Sequence, residues 1–67
     1  PMTKKVRDLE EGDRLKLNNT TVPIGTMSAL GEIRRNGTRQ MLYTVYAADG
    51  DVLCTAGGEE LVRIMGS

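Results

Sequence analysis

Residues 27–55 read MSALGEIRRNGTRQMLYTVYAADGDVLCT, and two dipeptides inside that stretch decide the fold. Asn36-Gly37 and Asp49-Gly50 are preferred pairs for tight hairpins, because Asn, Asp and Gly reach the positive φ that such turns need. Each is flanked by residues that favour strands. Three strands are therefore predicted, near Met27–Arg35, Arg39–Ala47 and Asp51–Thr55.

Two registers are open to the first hairpin. A two-residue loop at Asn36-Gly37 pairs Arg34 with Arg39, Glu32 with Met41 and Ser28 with Val45, which mixes polar and apolar residues on one face. A three-residue loop with Gly37 in a bulge pairs Glu32 with Gln40 and Ser28 with Thr44. That second register gathers Met27, Ala29, Ile33, Met41, Tyr43 and Val45 on one face. A slip of one residue exchanges the faces, so the bulged register suits a half-buried sheet better and is the expected one.

Upstream, Arg14-Leu15-Lys16-Leu17 alternates polar and apolar, which predicts a strand with Leu15 and Leu17 inward. Before it, Val6–Asp13 reads as a short arm closing in a turn, with Gly12 supplying the unusual dihedral and Asp13 a local hydrogen bond. Residues 4–11 have room for one helical turn. Val22-Pro23-Ile24 is extended, and Pro23, which has no N–H, belongs at an edge or bulge. Downstream, Gly57-Gly58 is a turn and Leu61–Met65 a closing strand. No window holds a 3.6-residue period between its breakers.

Leu9-Glu10-Glu11-Gly12-Asp13-Arg14-Leu15 resembles the L-x-x-G-D-x-hydrophobic opening of many SH3-like small barrels. The two glycine turns and the short Val62-Arg63-Ile64 strand are similar to that layout. The resemblance implies an all-β fold, a small five-stranded SH3-like barrel or a strongly bent antiparallel sheet. It transfers no activity, because folds host many functions. Proline-rich grooves and methyl-lysine cages need several aromatics, and the chain has only Tyr43 and Tyr46, on opposite sides of one strand.

Size narrows the functional classes further. Sixty-seven residues make one domain with one thin core, and leave no room for a deep substrate cavity. Residues 1–5 read as a flexible arm and Gly66-Ser67 as a cloning scar. There is no histidine and one cysteine, Cys54, so neither an internal disulfide nor a Cys/His zinc set is expected. Ser28 and Cys54 lack the usual base of a nucleophile. Gly57-Gly58 lacks the lysine and helix of a phosphate loop, and Asp49-Gly50-Asp51 has ordinary turn chemistry. The expectation is a non-enzyme without cofactor, metal, membrane segment or small-molecule substrate, in a reducing, cytoplasmic home. Its size and style suggest a bacterial or bacteriophage accessory protein, although no residue encodes that source.

Two binding surfaces remain as expectations. In the bulged register Leu30, Leu42 and Tyr46 lie on the outer face, Leu30 opposite Leu42, as a patch for a protein partner or a second copy. The alternative is nucleic acid, gripped by Arg34, Arg35 and Arg39 around the hairpin tip and by Lys4, Lys5 and Arg7 in the arm. The net charge of zero speaks against it, while the charge distribution keeps it open. Residues 1–39 hold eight of the nine bases, and residues 40–67 hold four of the nine acids against Arg63 alone.

Overall fold

The computed structural model describes residues 2–65, so the reading of Gly66-Ser67 lies outside the described residues. Six strands form: β1 (Met2–Lys5), β2 (Arg14–Leu17), β3 (Thr20–Arg35), β4 (Thr38–Ala47), β5 (Val52–Gly57) and β6 (Leu61–Met65). They make one antiparallel sheet in the order β1-β6-β2-β3-β4-β5, strongly bent and not closed into a barrel. Of the two expected architectures, the bent sheet is the one observed. The sixth strand is the arm. Met2–Lys5 pairs with β6 from Met2↔Ile64 to Lys5↔Leu61, and Val6–Asp8 then forms a single 3₁₀ turn.

Strand β3 holds the two halves of the sheet together. Its first residues pair with β2, from Leu17↔Thr20 to Arg14↔Pro23, and its remainder pairs with β4. The change of partner coincides with a register shift between Ile24 and Met27. Pro23 sits just before that irregularity, and its carbonyl accepts from Ala48 N–H at 3.0 Å. Gly25 occupies the bend because nothing larger fits. A Cβ there would stand 2.8 Å from the Ala47 carbonyl oxygen and 3.1 Å from Ala48 Cα.

Folding the sheet at this point brings its two inner faces together. Val6, Leu9, Leu15, Ile24, Val45, Ala56 and Ile64 form the core, with Leu17, Met27, Tyr43, Leu53, Cys54 and Val62 packed around it. Val6 and Val45 are fully buried. The turn before β2 is built as its residues require: Gly12 has φ +94°, and an Asp13 carboxylate oxygen accepts from Glu10 N–H at 2.9 Å.

The β3–β4 hairpin uses both candidate registers. At the tip Arg34↔Arg39 and Glu32↔Met41 pair, with Asn36 and Gly37 at φ 51° and 76°, which is a two-residue turn rather than the expected three-residue loop. Leu30 is then inserted as a bulge between Ala29↔Tyr43 and Gly31↔Leu42, with Gly31 at φ +138°. Beyond it the register becomes Ser28↔Thr44, as expected. The extra residue exchanges faces along β3. Val45, Tyr43 and Met27 therefore reach the core, whereas Ile33 pairs with Gln40 and shares the outer face with Leu42.

Gly25→Ala forces a Cβ against backbone and is expected to lower stability by about 1–3 kcal/mol in urea unfolding. Thr26→Ala, exposed at the same bend, should change it by less than about 0.5 kcal/mol. Equal stability of Gly25→Ala and the parent chain would show that the bend does not depend on this close approach.

Candidate interaction surfaces

The basic residues of the nucleic-acid reading do not form a free cluster. Lys4 Nζ lies 3.0 Å from an Asp13 carboxylate oxygen and 3.6 Å from Glu10. Glu59 takes Lys5 at 2.9 Å and Arg7 at 3.2 Å. At the hairpin, Arg39 pairs with Glu32 at 2.8 Å and Arg35 with Glu60. Only Arg34 among these six candidates has no acidic partner among the described residues. Around the arm and the hairpin the charge asymmetry along the chain is offset by folding, because Glu59 and Glu60 of the second half meet Lys5, Arg7 and Arg35 of the first. A phosphate would have to compete with a carboxylate at five of the six positions.

These contacts set the ionisation of the groups involved. The Asp13 carboxyl is held below the ordinary carboxylate range by the Glu10 N–H and then by Lys4, whose own ammonium is raised, chiefly by its hydrogen bond to Asp13. Glu59 is lowered by Lys5 and then by Arg7. Arg35, Asn36, Thr38, Gln40, Glu59 and Glu60 line an open hollow of about 390 Å³ beside the hairpin. Its two carboxylates are both taken by cations.

The outer face of β3–β4–β5 has a different character. From the hairpin end inward, Ile33 pairs with Gln40, Leu42 lies between Gly31 and Gly57, Thr44 between Ser28 and Thr55, and Tyr46 beside Val52. None of these side chains is charged, in a chain of which 27% of residues are. Leu42 has a glycine on each side, and the Gln40 side chain fills the space above Gly57. Gln40 reaches across Gly57, and its Oε1 accepts from Glu59 N–H at 3.0 Å. Ser28 and Tyr46 hydroxyls are 3.4 Å apart, and those of Thr44 and Thr55 3.5 Å. Leu42 and Tyr46 are half-buried and Leu30 is 59% exposed at its bulge. Leu30 is not the cross-strand partner of Leu42, because the inserted residue gives that place to Gly31. The arm does not cover this face. It carries Val6 and Leu9 into the core on the other side.

A second face was not legible beforehand. Arg14 and Lys16 on β2 point away from the core that holds Leu15, and β6 lies beside them with Arg14↔Met65 and Leu15↔Ile64. By alternation Arg63, next to the buried Ile64, faces outward on β6 as Arg14 and Lys16 do on β2. All three cations are exposed and without an acidic partner among the described residues. Alternation along β2 puts Arg14 and Lys16 outward, but only the pairing of β2 with β6 adds Arg63.

The remaining groups serve the fold. Asp49 accepts from Asp51 N–H at 3.0 Å within its turn, and the Cys54 thiol is half-buried, its ionisation pushed up by burial and then by Glu60. No group of three carboxylates or thiols suited to a metal ion occurs among the described residues. No protein-family model, curated protein or solved structure matches this chain.

The Asp13 carboxylate stabilises the fold above its ordinary pKa of about 4, and that contribution is lost as pH falls through its lowered folded value. In thermal melts the gap between the parent chain and Asp13→Asn should be widest near pH 7 and close towards pH 2. A gap that stays constant over that range would show that the ionised form is not what stabilises.

Proposed function

We propose that this chain is a non-catalytic interaction module, built on an SH3-like bent sheet, that binds a protein partner through the outer face of β3–β4–β5. The fold reading is supported by the order β1-β6-β2-β3-β4-β5, with β3 shared between two halves and the Leu9–Leu15 opening before β2. The functional reading is supported above all by the uncharged outer face. A stretch with Leu30, Leu42, Tyr46, Ile33 and Val52 and no charge differs from the rest of this surface, and such patches commonly mark contact sites. Tyr46 offers both an apolar ring and a hydroxyl, the combination favoured at interfaces. A cytoplasmic location accords with the free Cys54, and no helix among the described residues is long and apolar enough to cross a membrane.

Nucleic-acid binding is the second reading, and one observation favours it: Arg14, Lys16 and Arg63 stand together without acids. It differs from the first in its response to salt, since phosphate contacts weaken steeply as salt rises and apolar contacts do not.

Tagged parent protein and the variants Leu42→Lys and Tyr46→Lys test the choice, as baits in nuclease-treated lysate of the source cells at low and high salt. Both variants should keep the parent's circular dichroism and lose the protein it retains at either salt. Retention of that protein by both would contradict the reading. Binding only without nuclease, lost with Arg14→Glu, Lys16→Glu and Arg63→Glu together, would favour the second.

A further inference from the structure

Acids and bases are divided unevenly between the strands. Strands β1, β2, β6 and residues 20–24 of β3 hold Lys4, Lys5, Arg14, Lys16 and Arg63, and not one Asp or Glu. Lys4 and Lys5 are tied to Asp13 and Glu59. Arg14, Lys16 and Arg63 have no acidic partner among the described residues. The acids outside any ion pair, Asp8, Glu11, Asp49 and Asp51, all stand between strands.

Register gathers the three free cations on one surface. Leu15 and Ile64 pair with one another and are buried, so Arg14 and Lys16 on β2 and Arg63 on β6 face outward. Directly opposed residues of an antiparallel pair share a face, which adds Thr3 opposite Arg63 and Thr21 opposite Lys16. Two hydroxyls thus accompany three cations across the neighbouring strands β1, β6, β2 and β3. Arg14 and Lys16 lie about 7 Å apart along β2, close to the separation of successive phosphates on one nucleic-acid strand. Both tyrosines are elsewhere: Tyr43 packs on the core, and Tyr46 lies on β4 beside Val52.

We infer that this face grips the phosphate backbone of a nucleic-acid duplex without sequence preference. Cations supply the attraction, and threonine hydroxyls are suitable donors to phosphate oxygens. Single strands are held largely by stacking on aromatic side chains, and this face has none. The net charge of zero does not oppose the contact. Exposed charges more than about 10 Å away are largely screened at about 0.1 M salt, so the local set decides. The inference rests on the second reading of function and is independent of the first, because it uses the other half of the bent sheet.

Fluorescence anisotropy of a labelled mixed-sequence DNA duplex, titrated with the full chain, tests this. Three phosphate contacts predict binding that weakens roughly 40-fold between about 50 and 200 mM salt, and to the same extent for duplexes of unrelated sequence. Arg14→Gln, Lys16→Gln and Arg63→Gln together should abolish binding at low salt. The charge-matched hairpin set, Arg34→Gln, Arg35→Gln and Arg39→Gln, should retain it, as should Leu42→Lys. Circular dichroism checks each fold. If the triple face variant does not fold, Lys16→Gln alone should flatten the logarithmic salt slope by about 0.9. No binding by the parent chain at low salt overturns the inference. So does equal loss with the face and hairpin sets, because binding would then follow net charge. Preference for a single strand over the duplex would keep the second reading and overturn this inference. Displacement of the duplex by poly-glutamate at equal charge concentration would also overturn it, and assign the face to an acidic protein. A parent chain that binds the duplex yet retains no nuclease-resistant protein supports this inference and contradicts only the first reading.

Discussion

A strand of 16 residues cannot run straight through a molecule this small, and every other feature depends on where β3 bends. The bend falls between Ile24 and Met27, where Gly25 lets the backbone approach Ala47 and Ala48. Ile24 is fixed on both sides. Its N–H donates to the Asp13 carbonyl at 2.8 Å, and its carbonyl accepts from Gly12 N–H at 3.1 Å. The bend therefore ties the turn before β2 to the start of the second half. It folds Leu15 and Ile64 of one half onto Val45 and Ala56 of the other. A chain of this size buries too little surface to build two cores, so sharing one strand between two halves is an economical way to enclose a single one.

Bending also separates the surfaces. The inner faces are used up by the core, and two outer faces remain with opposite chemistry. One, over β3–β4–β5, is uncharged from Ile33 to Val52. The other, over β2 and β6, carries Arg14, Lys16 and Arg63. Most remaining charges are joined around the arm and the hairpin: Lys4 to Asp13, Lys5 and Arg7 to Glu59, Arg35 to Glu60. Exposed pairs of this kind contribute modestly one by one. Their larger effect is to leave the hairpin and arm nearly neutral, so contrast between surfaces arises on the sheet faces.

Much of the fold was legible in local chemistry. Asn36-Gly37 and Asp49-Gly50 mark both hairpins, Gly12 and Asp13 mark the turn, and Leu15, Tyr43 and Val45 fall inward by alternation. The bulge at Leu30 was not legible, because the turn at Asn36-Gly37 fixes the register only locally, and the inserted residue reconciles that turn with burial of Val45. Ile33 was placed inward for that reason and lies outward. Met2–Lys5 looked like a loose arm because four residues with two lysines have little strand character of their own. Its order comes from distant contacts, with β6 and with Asp13. The pairing of the hairpin and arm bases with Glu59 and Glu60 was hidden for the same reason. Of the candidate patch, Leu42 and Tyr46 lie on the expected face, while Leu30 stands beside it at the bulge.

If β3 makes both halves one folding unit, their innermost amides must open together. Native-state hydrogen exchange resolved by residue measures this directly, since amides released only by global unfolding share one opening free energy. Leu15 in β2 and Val45 in β4, each in a strand with neighbours on both sides, report on the two halves. Equal opening free energies that match the global unfolding value are expected. A markedly lower value at Leu15 than at Val45 would mean that the half containing β1, β2 and β6 opens alone, and the shared strand would not be what unites the fold.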